Sequence, residues 1–135
     1  MLAARPVADK SAAKELCELV GAPYSDDSFT YFAADVNSDA TKINFIIGLC
    51  TFRIKGGECE IEYLGTAPEV EDDEALMIMA RAVMSFMYRC EARVATLSDE
   101  GVSEKLGRRL GFLRKDGKRE IDLDKFYNAP CKHNI

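Results

Sequence analysis

The period of apolar and polar positions changes several times along the chain, and each change marks an element. Residues 2–6 predict a short strand closed by Pro6. From about Lys10 to Val20 a helix is predicted, with Leu16, Leu19 and Val20 on one face. Gly21 and Pro23 end it, since glycine suits a left-handed cap and proline cannot continue a helix. Phe29–Val36 is aromatic-rich and stops at the polar turn Asn37-Ser38-Asp39. Ile43–Ile54 is β-branched and aromatic, with Gly48 a bulge or a close approach of two backbones. Lys55-Gly56-Gly57-Glu58 is a hairpin signal, because tight turns need the positive φ that glycine accepts. Cys59–Thr66 returns as an alternating strand, Ile61 and Tyr63 on one face, Glu60 and Glu62 on the other.

Pro68 closes that strand, and an acidic stretch leads into a helix over Ala75–Arg89, which lacks glycine and proline. Its apolar positions nearly encircle the axis, so much of it should be buried. Arg93–Leu97 reads as a short strand and Val102–Leu110 as a helix, with Ser98 or Asp99 available as a cap and Gly111 as its stop. After an Asp116-Gly117 turn, Arg119–Phe126 alternates with Ile121 and Leu123 inward and predicts a final strand. Residues 128–135 read as a loose tail. This order predicts an α/β (α+β) domain: a mixed, mostly antiparallel sheet with helices on both faces. The passage from Cys59–Thr66 through the long helix to Arg93–Leu97 should be a right-handed parallel crossover.

The 135 residues suit one domain, 1–135, large enough to be stable without staples. The net charge of −5 favours solubility and argues against nucleic acid as a partner. Charge is uneven: Glu69, Glu71, Asp72, Asp73 and Glu74 put five acids in six residues, while seven bases lie between Lys105 and Arg119. Five widely spaced cysteines without a CxxC pair read as reduced thiols, hence a cytoplasmic location, with neither a disulfide framework nor a zinc site. No apolar run is long enough to span a membrane.

Three phrases then carry a resemblance. Ala4-Arg5-Pro6-Val7-Ala8-Asp9, Glu60-Ile61-Glu62-Tyr63-Leu64-Gly65-Thr66-Ala67-Pro68, and Ser103-Glu104-Lys105-Leu106-Gly107-Arg108-Arg109-Leu110-Gly111-Phe112 occur in an order and spacing that resembles the GNAT acyltransferases. They correspond to that superfamily's first strand, its central strand, and its late helix ending in Leu-Gly-Phe. The resemblance implies a GNAT-like fold and transfer of an acyl group from acyl-CoA to an amine. It also implies a central-strand Glu as general base, with Glu60 and Glu62 as candidates and Tyr63 near a substrate. CoA, if bound, would meet Leu64, Gly65 and Thr66 through backbone only.

The departures point the other way. After the central strand the superfamily places a basic or amide residue and then two glycines, so that backbone N–H groups and a helix N-terminus cradle the CoA pyrophosphate. Counted from Pro68, the basic position here is Glu71, and the glycine positions are Glu74 and Leu76. A carboxylate about 6 Å from a phosphate costs roughly 1 kcal/mol in water and a few at lower dielectric. The same acids are equally explained as first-turn helix caps. The tyrosine that protonates the departing thiolate in many members falls on Gly107; such an acid is worth ~10²–10⁴-fold in rate.

A degenerate module with weak or no acetyl-CoA binding is therefore expected, its partner a small molecule, a protein or a second copy in a homodimer. A divergent N-acetyltransferase using acetyl-CoA is the alternative. No other cofactor is expected. Cys131 and His133 are too few ligands for zinc and read as tail residues. Met77, Met79, Met84 and Met87 read as core filler, or else as a partner surface. The basic stretch 105–119 has only Phe112 among it and reads as a solvated face, or one paired with another chain's acids.

Overall fold

The computed structural model describes residues 2–36 and 43–128. The elements run β1 (Leu2–Pro6), α1 (Lys10–Val20), β2 (Phe29–Val36), β3 (Ile43–Lys55), β4 (Glu58–Thr66), α2 (Asp73–Arg89), β5 (Val94–Leu97), α3 (Glu104–Leu110), β6 (Leu113–Lys115), β7 (Lys118–Asp122) and α4 (Leu123–Asn128). The strands form one sheet in the order β1-β2-β3-β4-β5-β7-β6. Neighbours are antiparallel except β4 and β5, which run parallel as a crossover through α2 requires.

Local chemistry sets the element ends. Asp9 caps α1, its Oδ1 accepting the Ser11 N–H at 3.0 Å, and Gly21 closes the helix in the left-handed region at φ 86°. Cys17 and Val20 then pack on Phe32, Ala34 and Leu49, covering one sheet face over β2 and β3. The opposite face holds the larger core. There α2 buries Leu76, Met79, Val83, Met84 and Met87 against Phe52, Ile61, Leu64 and Leu97, and α3 adds Leu106 and Leu110. Met77, Met79, Met84 and Met87 are all buried, so the methionines of α2 fill the core and do not form a surface. Each large side chain so buried contributes about 1.5–3 kcal/mol.

The end of the chain differs from the sequence expectation. The strand expected through Phe126 stops at Asp122, whose Oδ1 accepts the Lys125 N–H at 3.0 Å and turns the chain into α4. Leu123 is inward and fully buried, but as the first residue of that helix. Asn128 belongs to α4, its amide donating to Tyr88 Oη and Asp124 Oδ1; it is not part of a tail. The three-residue β6 was not anticipated, since all its side chains are exposed and show no alternation. Its hairpin with β7 turns at Asp116 (φ 53°) and Gly117 (φ 83°), a pair of positive φ values that suits a two-residue turn.

Candidate functional site

Along β4 the side-chain alternation breaks at Glu62. Thr51 of β3 faces Tyr63 and the next residue, Phe52, faces Ile61, which leaves Glu62 bulged out of the register. Ile61 and Leu64 consequently share the α2 face, while Tyr63 joins the cluster under α1. Ile61 and Tyr63 are therefore on opposite faces, contrary to simple alternation. The bulge aims Glu62 at the loop after α1. Its Oε1 accepts from the buried Ser28 hydroxyl, and its Oε2 accepts from Arg53 Nε at 2.7 Å. Arg53 also donates to Ser25 Oγ at 3.2 Å. Both oxygens of Glu62 are thus committed, while Glu60 is exposed two residues earlier opposite Arg53. Tyr63 curls over Gly65, where a Cβ would lie 2.5 Å from the Tyr63 hydroxyl, and burial pushes its phenol pKa up.

Beyond β5 the chain does not leave β4. Ser98 N–H donates to Ile61 O at 2.9 Å, extending the parallel pairing, and Leu64 N–H donates to Gly101 O at 2.9 Å. Gly101 lies so close to β4 that a methyl there would overlap the Glu62 carbonyl oxygen and stand 3.1 Å from Tyr63 Cα. The segment after β5 therefore occupies the edge of β4 from Ile61 to Leu64.

Arg119 holds that segment. Among the described residues it is the one buried charged side chain, 2% exposed on β7. Its Nη1 donates to Ser103 O at 3.0 Å, and its Nη2 donates to Ser98 O at 2.8 Å and Val102 O at 2.7 Å. Nε lies 3.2 Å from Asp99 Oδ1, near enough for an ion pair but without a hydrogen bond. Gly107 makes room for this: a Cβ there would come within 2.7 Å of Arg119 Nη1 and 2.9 Å of Leu97 Cδ1. Neither Ser98 nor Asp99 caps α3. Ser103 does, accepting the Leu106 N–H at 3.2 Å, while Ser98 Oγ accepts from Gly101 N–H at 3.3 Å within the loop.

The start of α2 is likewise occupied by the chain itself. Asp72 Oδ1 accepts the Ala75 N–H at 3.0 Å, so a carboxylate already satisfies the helix N-terminus. Leu76, at an expected glycine position, is buried, and its Cδ2 fills the space over Gly48, where a Cβ would lie 2.8 Å away. Gly48 is thus a close approach, as the strand pattern suggested. Asp73 pairs with Lys105 at 3.0 Å and Glu74 pairs with Arg109. Arg114 pairs with Asp99 and Glu104. The basic stretch 105–119 therefore meets acids of its own chain.

Between these parts lies an open cleft of about 430 Å³ whose lining includes Pro23, Glu60, Glu62, Tyr63, Glu100 and Gly101. The structure thus brings Glu60, Glu62 and Tyr63 to one place, with Leu64, Gly65 and Thr66 continuing along β4. Sequence reading missed Gly101, Arg119 and Ser28. Arg119 gave no signal because it stood among six other bases. Cys131 and His133 lie outside the described residues. Among the described residues no group of three or more His, Cys, Asp or Glu could hold a metal.

No protein-family model and no curated protein sequence matches this chain. Solved structures do. An IAA acetyltransferase from Bacillus cereus superposes over 90% of this chain and 99% of its own, at 13% identity and TM-score 0.65. The PaiA N-acetyltransferase from Thermoplasma acidophilum, in complex with coenzyme A, covers 90% and 99% at 13% identity and TM-score 0.62. A GNAT family acetyltransferase from Brucella melitensis, in complex with acetyl-CoA, covers 90% and 88% at 15% identity and TM-score 0.60. The chain has the GNAT fold. At these identities the likeness speaks for the fold alone.

Proposed function

We propose that this chain is a GNAT-fold binding or interaction module that binds acetyl-CoA weakly or not at all and does not carry out ordinary acetyl transfer. The observation that carries the reading is the hydrogen bond from Leu64 N–H to Gly101 O, by which the chain's own loop takes the edge of β4. Two further features support it. The N-terminus of α2 is capped by Asp72 and ringed by Glu69, Glu71, Asp73 and Glu74, which disfavours a pyrophosphate. A tyrosine at Gly107 would have to displace Arg119 Nη1 and Leu97 Cδ1. Of the two candidate bases, Glu62 is engaged by Ser28 and Arg53, and Glu60 is exposed. The partner is a small molecule or a protein in the cytoplasm, a second copy of the chain included, and nucleic acid is disfavoured by the internal pairing of the basic stretch.

The competing reading, an active divergent N-acetyltransferase, draws on the fold shared with proteins described in complex with coenzyme A and acetyl-CoA. Titration calorimetry with acetyl-CoA and with CoA, at low and moderate salt, separates the two. No heat up to millimolar ligand is expected from the folded protein. Micromolar binding would overturn the module reading and call for an amine substrate screen.

A further inference from the structure

Under the C-terminal half of α2, β2 presents Phe29 and Tyr31 on one face, two residues apart as strand alternation requires. The Phe86 ring of α2 lies 6.0 Å from each, and buried Phe52 lies 5.5 Å from Phe29 and 5.7 Å from Tyr31. The connection from β1 to α1 passes beside these rings, held by Val7 N–H donating to Thr30 O at 2.8 Å. Between the connection and the rings lies a separate cavity of about 210 Å³, whose lining includes Val7, Ala8, Lys10, Phe29, Tyr31 and Phe86. It shares no lining residue with the cleft at Glu62.

The fold leaves two donors unused here. Tyr31 is 8% exposed, and its hydroxyl has no hydrogen-bond partner among the described residues. A buried hydroxyl without an acceptor is disfavoured, and phenylalanine would fill the same core position without that penalty. Burial pushes the phenol pKa up, so the hydroxyl keeps its proton and remains a donor. Lys10 stretches over the Phe29 ring, Nζ 5.9 Å from its centroid, and donates to Ser28 O at 2.7 Å. An ammonium has three N–H groups, so that bond leaves the others for a ligand. No carboxylate is among the lining residues.

We propose that this cavity is a binding site for a small aromatic carboxylate, its ring against Phe29 and Phe86 and its carboxylate accepting from Tyr31 Oη and Lys10 Nζ. Size sets the class: an apolar cavity of roughly 150 Å³ takes benzene, so about 210 Å³ suits one ring with a short acidic arm. The rings favour an aromatic guest, which can pack edge-on or offset against them. The charge follows from the donors and from the absence of an acid, since donors bind an ionised acceptor most strongly. The site goes beyond the module reading and does not depend on whether CoA binds.

Benzoate and benzyl alcohol, the same ring with and without charge, are the probes. The readouts are the aromatic ¹³C–¹H resonances of Phe29, Tyr31 and Phe86. Benzoate is expected to shift all three saturably with a Kd of about 1 mM or below, and benzyl alcohol to bind about fivefold more weakly. Lys10→Met keeps the chain over Phe29 and removes the ammonium; it should weaken benzoate about fivefold and leave benzyl alcohol unchanged. Tyr31→Phe keeps the ring and should weaken benzoate about threefold. Ala8→Phe, at an exposed position on the rim, should block both probes. Positions 8 and 10 are both exposed, so these two variants leave the core intact. No saturable shift of the three rings up to about 20 mM benzoate would overturn the site, as would binding that survives Ala8→Phe. Equal binding of the two probes, or benzoate binding indifferent to Lys10→Met and Tyr31→Phe, would overturn the assignment of a carboxylate ligand.

Discussion

At position 107 a glycine leaves a space that the Arg119 side chain fills, with Nη1 2.7 Å and Leu97 Cδ1 2.9 Å from where a Cβ would stand. The absence of a tyrosine at this position in the sequence looks like a missing acid; in the structure it is a requirement of packing. Introducing the tyrosine should therefore cost stability. Overpacking of a tight site costs about 1–3 kcal/mol, and each buried carbonyl that loses its donor costs about 1–3 more. With Nη1 displaced and Ser103 O left without its donor, Gly107→Tyr is expected to lower stability by about 2–6 kcal/mol, read from urea unfolding midpoints, with no acetyl transfer gained. Glu62 shows the complementary limit of sequence reading. Its neighbours alternate cleanly, yet the bulge that turns it toward Ser28 and Arg53 depends on strand register, which no local pattern encodes. Burial pushes the Cys59 thiol up to about 12, and Cys50 higher still, as suits inert core residues.

Among the elements, those with strong punctuation were legible. Gly21 ends α1 and Gly56-Gly57 turns β3 into β4 where the glycines stand, and α2 lies over the uninterrupted helix formers. The elements that went unread are short. β6 is three exposed residues, and α4 is a six-residue helix whose first residue, Leu123, continues the alternation that Ile121 begins in β7. Its one signal was Asp122, a capping residue in front of Lys125, outweighed by that alternation. At the start of α2 the acids serve two purposes. Asp72 alone caps the helix, and Asp73 and Glu74 reach across to α3. Asp72→Ala should thus cost about 1 kcal/mol, within a range of 0.5–2, by thermal or urea denaturation. Removing Lys105 would do much less, because exposed pairs contribute little.

For the whole molecule, the mixed, mostly antiparallel class and its parallel crossover were readable from the succession of elements, and likeness to GNAT structures agrees; the seventh strand and the strand order were not. The closed edge of β4 was not readable, because Leu64 and Gly101 are far apart in sequence and meet only through backbone. Charge ties the same region to pH. Asp99 is held below its ordinary carboxyl range chiefly by its hydrogen bond from Arg114, helped by the charges of Arg114 and Arg119. A lowered native value means that its contribution is complete above the ordinary aspartate range and disappears as pH falls below it. Asp99 is exposed, so the effect is small. Urea midpoints of wild type and Asp99→Asn should differ at pH 7 and converge as pH falls below that range; a constant difference would show that the pairs with Arg114 and Arg119 do not carry it.

Arg119 and its recess also constrain how this protein can change over generations. A substitution at 119 strands the carbonyls of Ser98, Val102 and Ser103, and a substitution at 107 expels the arginine that satisfies them. Each single step passes through a less stable chain, so the two positions can drift only together, and mutational accidents elsewhere must first supply the stability to spare. A lineage that once acquired this pair would find it hard to lose, whatever selection later favoured.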